Sequence, residues 1–376
     1  MTKTQGRRLV RLLLRRVAPC SFIALVGVAT SVIFARRSSF AHTWSAQISR
    51  FQNSACPKIL MYDGVAIGKD NNEAKAKYWG ETIGVDGFFV NHVFYSWEDS
   101  VGDDENSSTY QMVKAFQQLY SKHGVTDNFL KTALYRPHDW KTPAAQDRVV
   151  QDFRQAAHLA RFAGFKGLAL DLEPQVKGFW NVDPTLPDKA ARVYTLGQRV
   201  GYTVWAEYPE AIVIVLPEVL SFTCPRYPQN VCDNYALSAR FWDGLLQARL
   251  PQVLIATENS YNASRPDNVP NQVWGVYRPD LQKNGVDLNT VRIALGLWPL
   301  GRPEKSADDK SARCTPAQFA ERLQFASRER SPYIWIYGHG SSWEENGAYG
   351  SGPVDPHFDQ FVRVLHQFKQ SCSGRR

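Results

Sequence analysis

The 376-residue sequence predicts an α/β fold: a single (β/α)8 TIM barrel behind an N-terminal hydrophobic leader. Three observations carry this reading. Short β-rich apolar runs recur eight times between residues 56 and 372. Longer amphipathic stretches separate many of them. The first run leads into MYDGVAIG, which is not the glycine-rich phosphate turn of the rival doubly wound sheet.

The runs follow in order. They are Lys58–Tyr62, Gly87–Asn91, Phe129–Tyr135 and Gly167–Leu172, then Ala211–Leu216, Gln252–Ala256, Val291–Leu297 and Pro332–Tyr337. Helical spacing of apolar residues marks Gln146–Phe162, closed by Gly164. Lys189–Tyr208, Ala236–Ala248 and Thr315–Ala326 read the same way. Thr315 serves the last of these as N-cap, with Pro316 at the first helical position. His357–Gln370 supplies a final helix.

Composition narrows the function classes. The chain is 44% hydrophobic and 21% charged, which excludes a disordered chain. The net charge of +8 equals the eight bases of residues 1–42, a stretch without acids. The remaining 36 bases meet 36 acids, so the folded part has no global field for phosphate, and no nucleic-acid partner is expected.

The leader places the apolar run Val17–Ala35 behind six bases, with two more after it. Two readings stand side by side. One is a cleavable signal with small residues at Ser39 and Ala41. The other is a membrane anchor, since nineteen residues just suffice to span a bilayer. In both, the charge bias sends the barrel out of the cytoplasm. Residues 43–55 form a linker and 56–372 the barrel, expected as a monomer that meets a membrane only through its N-terminal segment. Five cysteines lie beyond the leader. Cys224 and Cys232 are close in a proline-rich stretch, where a local bridge could form. Cys56 and Cys372 flank the domain and would join if its ends meet, and Cys314 is left over. No CxxC pair or histidine cluster calls for a metal or another cofactor.

Chemistry in such a barrel gathers at the C-terminal ends of the strands. The residues found there are Tyr62 and Asp63, Asn91 and His92, Tyr135 and Arg136, Asp171 and Glu173, Glu218, Glu258 and Tyr261, Trp298, and Trp335, Tyr337, His339 and Trp343. Carboxylates and aromatic rings together suit a carbohydrate. The acids protonate a leaving oxygen and stabilise an oxocarbenium-like transition state, and the rings cover the C–H faces of sugars. Trp97 and Trp140 extend the set of possible sugar platforms.

The sharpest stretch is Phe165-Lys166-Gly167-Leu168-Ala169-Leu170-Asp171-Leu172-Glu173. Asp171 and Glu173 are two apart, so on a strand they share one side. Two acids in a leucine-rich strand need a polar cavity, and in a barrel that cavity is the site. This stretch resembles the F-D-G-x-D-x-D-x-E motif of glycoside hydrolase family 18, the chitinase-like barrels. The resemblance implies that Glu173 is the general acid and that Asp171 orients the substrate acetamido group that acts as internal nucleophile. It also implies that Trp335 floors the sugar subsite. The chain departs from the motif at Lys166 and Ala169, where the family has Asp. Tyr135-Arg136-Pro137 replaces its glycine-rich third-strand motif, and Thr257-Glu258-Asn259 replaces a Tyr-Asp pair.

Without acetamido participation a second carboxylate is needed, and Glu258 and Glu218 are the candidates. A separation of about 5–5.5 Å from the acid means retention, and about 6.5–9.5 Å inversion. The expected function is an exported glycoside hydrolase acting on a polysaccharide or glycoconjugate. Its rivals are a carbohydrate-binding barrel without catalysis and a different barrel hydrolase or lyase. A metal-dependent version of the last would draw on His92, His138, His339 and Asp139.

Overall fold

The computed structural model describes residues 56–94, 100–133, 140–172, 188–216, 229–248, 250, 252–261, 279, 281–283, 286–287, 290–301, 312–328, 331–338, 343 and 358–373. Eight parallel strands close into a barrel in sequence order. They are β1 (Lys58–Ala66), β2 (Gly87–Phe94), β3 (Phe129–Ala133), β4 (Gly167–Asp171), β5 (Ile212–Leu216), β6 (Val253–Thr257), β7 (Val291–Leu297) and β8 (Tyr333–Tyr337). Closure is made by β1 on β8, with Leu60 opposite Trp335 and Tyr62 opposite Tyr337. All eight runs of the sequence are therefore strands. β1 and β2 continue past their expected ends, and a break in their pairing lies between Tyr62 and Ala66.

The described helices are α1 (Glu73–Lys77), α2 (Ser108–Lys122), α3 (Pro143–Ala163), α4 (Lys189–Glu207), α5 (Gln229–Gln247), α6 (Pro316–Arg328) and α7 (Phe358–Ser373). α3 shows why the local sequence folds as it does. The Thr142 hydroxyl accepts from the Ala145 amide, Pro143 stands in the first turn, and Gly164 ends the helix at φ 82°. α1 and α2 were not expected. α2 buries Tyr110, Val113, Phe116 and Tyr120 at helical spacing, and the Ser107 hydroxyl accepts from the Tyr110 amide.

Alternation along each strand sorts side chains into two layers. Ile59 and Met61, Phe88 and Val90, Leu168 and Leu170, Val213 and Val215, and Ile334 and Ile336 pack outward with Val113, Phe116, Tyr120 and Phe153 of the helices. Tyr62, Phe89, Phe129, Lys131, Asp171 and Trp335 belong to the other set, and point into the barrel. The ends of the fold are joined by a disulfide between Cys56 and Cys372, whose Cα atoms are 5.4 Å apart. Cys314 is a free thiol, buried, and burial pushes it up to about 12. Cys224 lies outside the described residues, as does the side chain of Cys232. No helix among the described residues is long and apolar enough to cross a membrane, and residues 17–35 lie outside them.

Candidate active site

Asp171 is the last residue of β4 and is 3% exposed. Its Oδ2 accepts a hydrogen bond from the Tyr62 hydroxyl at 2.6 Å. The ammonium of Lys131, wholly buried in β3, stands 3.5 Å from the same oxygen. Lys131 Nζ also donates to the Tyr62 oxygen at 2.5 Å and lies 3.9 Å from the Tyr62 ring centroid. A phenol oxygen that accepts from an ammonium turns its own proton outward, here onto Asp171. The direction of the chain is thereby fixed, from Lys131 through Tyr62 to Asp171, and Asp171 Oδ2 is an acceptor.

An aromatic wall adjoins this charged floor. Tyr62 lies 5.8 Å from Trp335 and 5.4 Å from Tyr337 between ring centroids. Tyr261 stacks on Tyr337 at 5.5 Å and meets Trp335 edge-on at 5.2 Å. Trp298 stands perpendicular to Tyr337 at 4.9 Å. Phe89 closes the side toward β2, 5.9 Å from Trp335. Such spacings are those of favourable tilted and edge-to-face pairs. A short helical turn, Asn259–Tyr261, carries Tyr261 into this group. Ser260 anchors that turn to β7: its hydroxyl oxygen accepts from the Gly296 amide at 2.9 Å and lies 2.7 Å from the Gly296 carbonyl. Trp335 is 1% exposed, and its indole N–H finds no hydrogen-bond acceptor among the described residues.

The structure thus brings together Asp171, Tyr62, Trp298, Trp335 and Tyr337. Glu258 follows β6 directly and is half-buried. Trp343 lies elsewhere, in the layer under the helices. It is 3% exposed, its ring is 5.9 Å from Phe358 of α7, and its carbonyl accepts from Tyr78. Trp140 is likewise buried, and its carbonyl accepts from Gln146. Glu173, Glu218, Tyr135, Arg136, His339 and Trp97 lie outside the described residues, as do His138 and Asp139. Asp63 and His92 fall on β1 and β2 with their side chains outside the described set.

Lys131 and Phe89 were not among the expected site residues. The available signal was parity. Lys131 is two residues from Phe129 in an apolar run, and so takes the same face of the strand.

No protein-family model and no curated protein matches this sequence. Solved structures do resemble it in fold. Active domain 2 of the thermostable chitinase from Pyrococcus furiosus aligns with a TM-score of 0.50 at 10% identity, over 84% of this chain and 96% of that one. A family 39 glycoside hydrolase from Bacteroides cellulosilyticus WH2 aligns with a TM-score of 0.50 at 16% identity. That match covers 83% of this chain and 64% of the other. Likeness at such identities establishes the shared barrel.

Proposed function

We propose that this chain is an exported glycoside hydrolase that cleaves glycosidic bonds in a polysaccharide or glycoconjugate. The observation that carries the reading is the placing of Asp171. An acceptor carboxylate backed by an ammonium and a phenol sits beside an aromatic wall at the end of the barrel where chemistry is expected. Rings next to a carboxylate suit a pyranose better than a phosphate or a purely apolar ligand. The neighbours in fold add support, since one is a chitinase domain complexed with chito-oligosaccharides and the other a glycoside hydrolase.

In this mechanism Asp171 Oδ2 already accepts the Tyr62 proton, so proton donation falls to Glu173, two residues further on. Glu173 passes its proton to the glycosidic oxygen as the bond from the anomeric carbon to that oxygen breaks. The acetamido oxygen, aligned by Asp171, bonds to the anomeric carbon to give an oxazolinium ion; water, giving its proton back to Glu173, then attacks the anomeric carbon and breaks that bond. On sugars without that group, Glu258 or Glu218 serves as the second carboxylate. Export, free or anchored through residues 17–35, is supported by the basic and apolar leader. The Cys56–Cys372 disulfide supports it further, because such bonds persist in oxidising compartments.

One observation favours a second reading, a barrel that binds glycans without cleaving them. Position 169 carries Ala where the resembled motif has an acid. The two readings separate when the full-length chain and its Glu173→Gln copy are incubated with amino-sugar and neutral polysaccharides and products are read by mass spectrometry. Oligosaccharides from the wild type alone support hydrolysis by Glu173. Binding without product from either protein supports the second reading, and equal product from both removes Glu173 from the mechanism.

A further inference from the structure

We infer that Lys131 is a positioning residue of this site: it holds Asp171 in place through Tyr62, from the space that Ala169 leaves open. The role in turnover rests on the glycosidase reading above; the geometry does not.

Burying an ammonium is costly unless it is paired and hydrogen-bonded, and an ion pair inside a fold is often no more stable than an apolar replacement. The interior of this barrel shows the cheaper solution on β5, where Ile212 and Ile214 are buried. β3 instead carries a lysine that is 0% exposed. Stability alone gives no reason for it. Its register gives one. Lys131 pairs with Ala169 across the β3–β4 ladder, and Asp171 is two residues beyond Ala169 on the same face of β4. A methyl group at 169 leaves room for the lysine stem to rise one layer, and the ammonium ends between Tyr62 and Asp171. An acid at 169 would place a second carboxylate below Asp171, and two such acids share a proton. With an alanine there and a lysine beside it, Asp171 faces a cation and a phenol donor.

The test uses full-length Lys131→Met, Tyr62→Phe, Asp171→Asn and the Lys131→Met/Asp171→Asn pair, with chitohexaose and the polysaccharide panel as substrates. Urea denaturation is run in parallel and needs no substrate. Lys131→Met should lower kcat by about 10- to 100-fold, the loss typical of a displaced catalytic group, while KM stays within about twofold. Tyr62→Phe keeps the ring, removes the bridge and should show the same kcat loss, which decides the matter if Lys131→Met does not fold. In urea, Lys131→Met should lower the midpoint, and adding Asp171→Asn should restore part of it, because the pair is then neutral. A lower midpoint with wild-type kcat in the folded variants would overturn the assignment, since that is what a purely structural lysine does. Additive midpoint losses would overturn it too. If the wild type cleaves nothing, the glycosidase reading falls. The urea cycle then decides the Lys131–Asp171 link by itself: partial restoration sustains it and additivity ends it.

Discussion

Gly296 of β7 lies directly against Trp335 of β8: the two are register partners, and a Cβ on Gly296 would stand 2.7 Å from the Trp335 indole Cε2. The same Cβ would come within 2.3 Å of the Thr257 carbonyl oxygen of β6. The absence of a side chain on β7 is thus what lets the indole of β8 occupy the interior. Gly296→Ala should cost about 1–3 kcal/mol, the range for overpacking a filled core. It should also change the near-ultraviolet dichroism, since Trp335 must move. Urea denaturation and that spectrum check both. An unchanged midpoint and spectrum would mean that the strands shift apart at little cost.

The barrel was legible because its signal repeats. The apolar run matches β7 residue for residue, and most other strands to within one or two. α2 is hard to see in the sequence although Tyr110, Val113, Phe116 and Tyr120 keep helical spacing, because Ser, Gln and Lys fill the positions between. Asp171 stood out as an acid in a leucine-rich strand. Lys131 did not, because a lone lysine in a strand normally marks an outward or edge position. Only closure of the barrel turns its face inward. Trp343 shows the converse. Sequence order places it just past β8, but its ring packs on Phe358 under α7, and no local pattern encodes which side of β8 the chain takes. Glu173 stands out in the sequence as a motif residue alone, and it lies outside the described residues.

The Cys56–Cys372 disulfide spans 316 residues and links the entry to β1 with the last turn of α7. A cross-link of that span restricts the unfolded chain strongly. Cys56→Ser/Cys372→Ser should lower stability by about 2–5 kcal/mol. Thermal unfolding with and without a thiol reductant checks this. The reductant should lower the Tm of the wild type by more than that of the double variant, which lacks this cross-link.

His123, at the C-terminal end of α2, bridges two carboxylates. Its Nδ1 lies 2.8 Å from Glu81 and its Nε2 2.7 Å from Glu73. The hydrogen bonds to Glu81, then Glu73, raise its pKa above the ordinary 6.5, against a smaller opposing effect of burial. A raised pKa in the folded state means that protonation favours folding. The contribution is complete below pH 6.5 and is lost as pH rises through the folded value. The urea midpoint of the wild type should therefore fall across that interval relative to His123→Gln, which lacks the titrating group. Parallel curves for the two proteins would rule the linkage out.

Trp335 should matter more for binding than for folding. Its indole N–H is buried without an acceptor among the described residues, and an unmet donor of this kind costs about 1–3 kcal/mol. On the glycosidase reading, a sugar would set its C–H face over the ring and a hydroxyl at the ring edge, where the N–H points. Replacing the indole by a benzene ring removes the penalty from the free protein and the hydrogen bond from the complex. The two packing losses remain, one to Tyr261 at 5.2 Å and one to Tyr62 at 5.8 Å. For Trp335→Phe, relief of the donor offsets part of the lost packing, so the midpoint in urea should change little. Affinity has no such offset, and should fall about tenfold, equivalent to about 1.4 kcal/mol. Calorimetric titration with chitohexaose, beside urea denaturation of the same samples, measures the two effects separately. A large stability loss with unchanged affinity would make Trp335 a core residue and move the sugar platform to Trp298 and Tyr261.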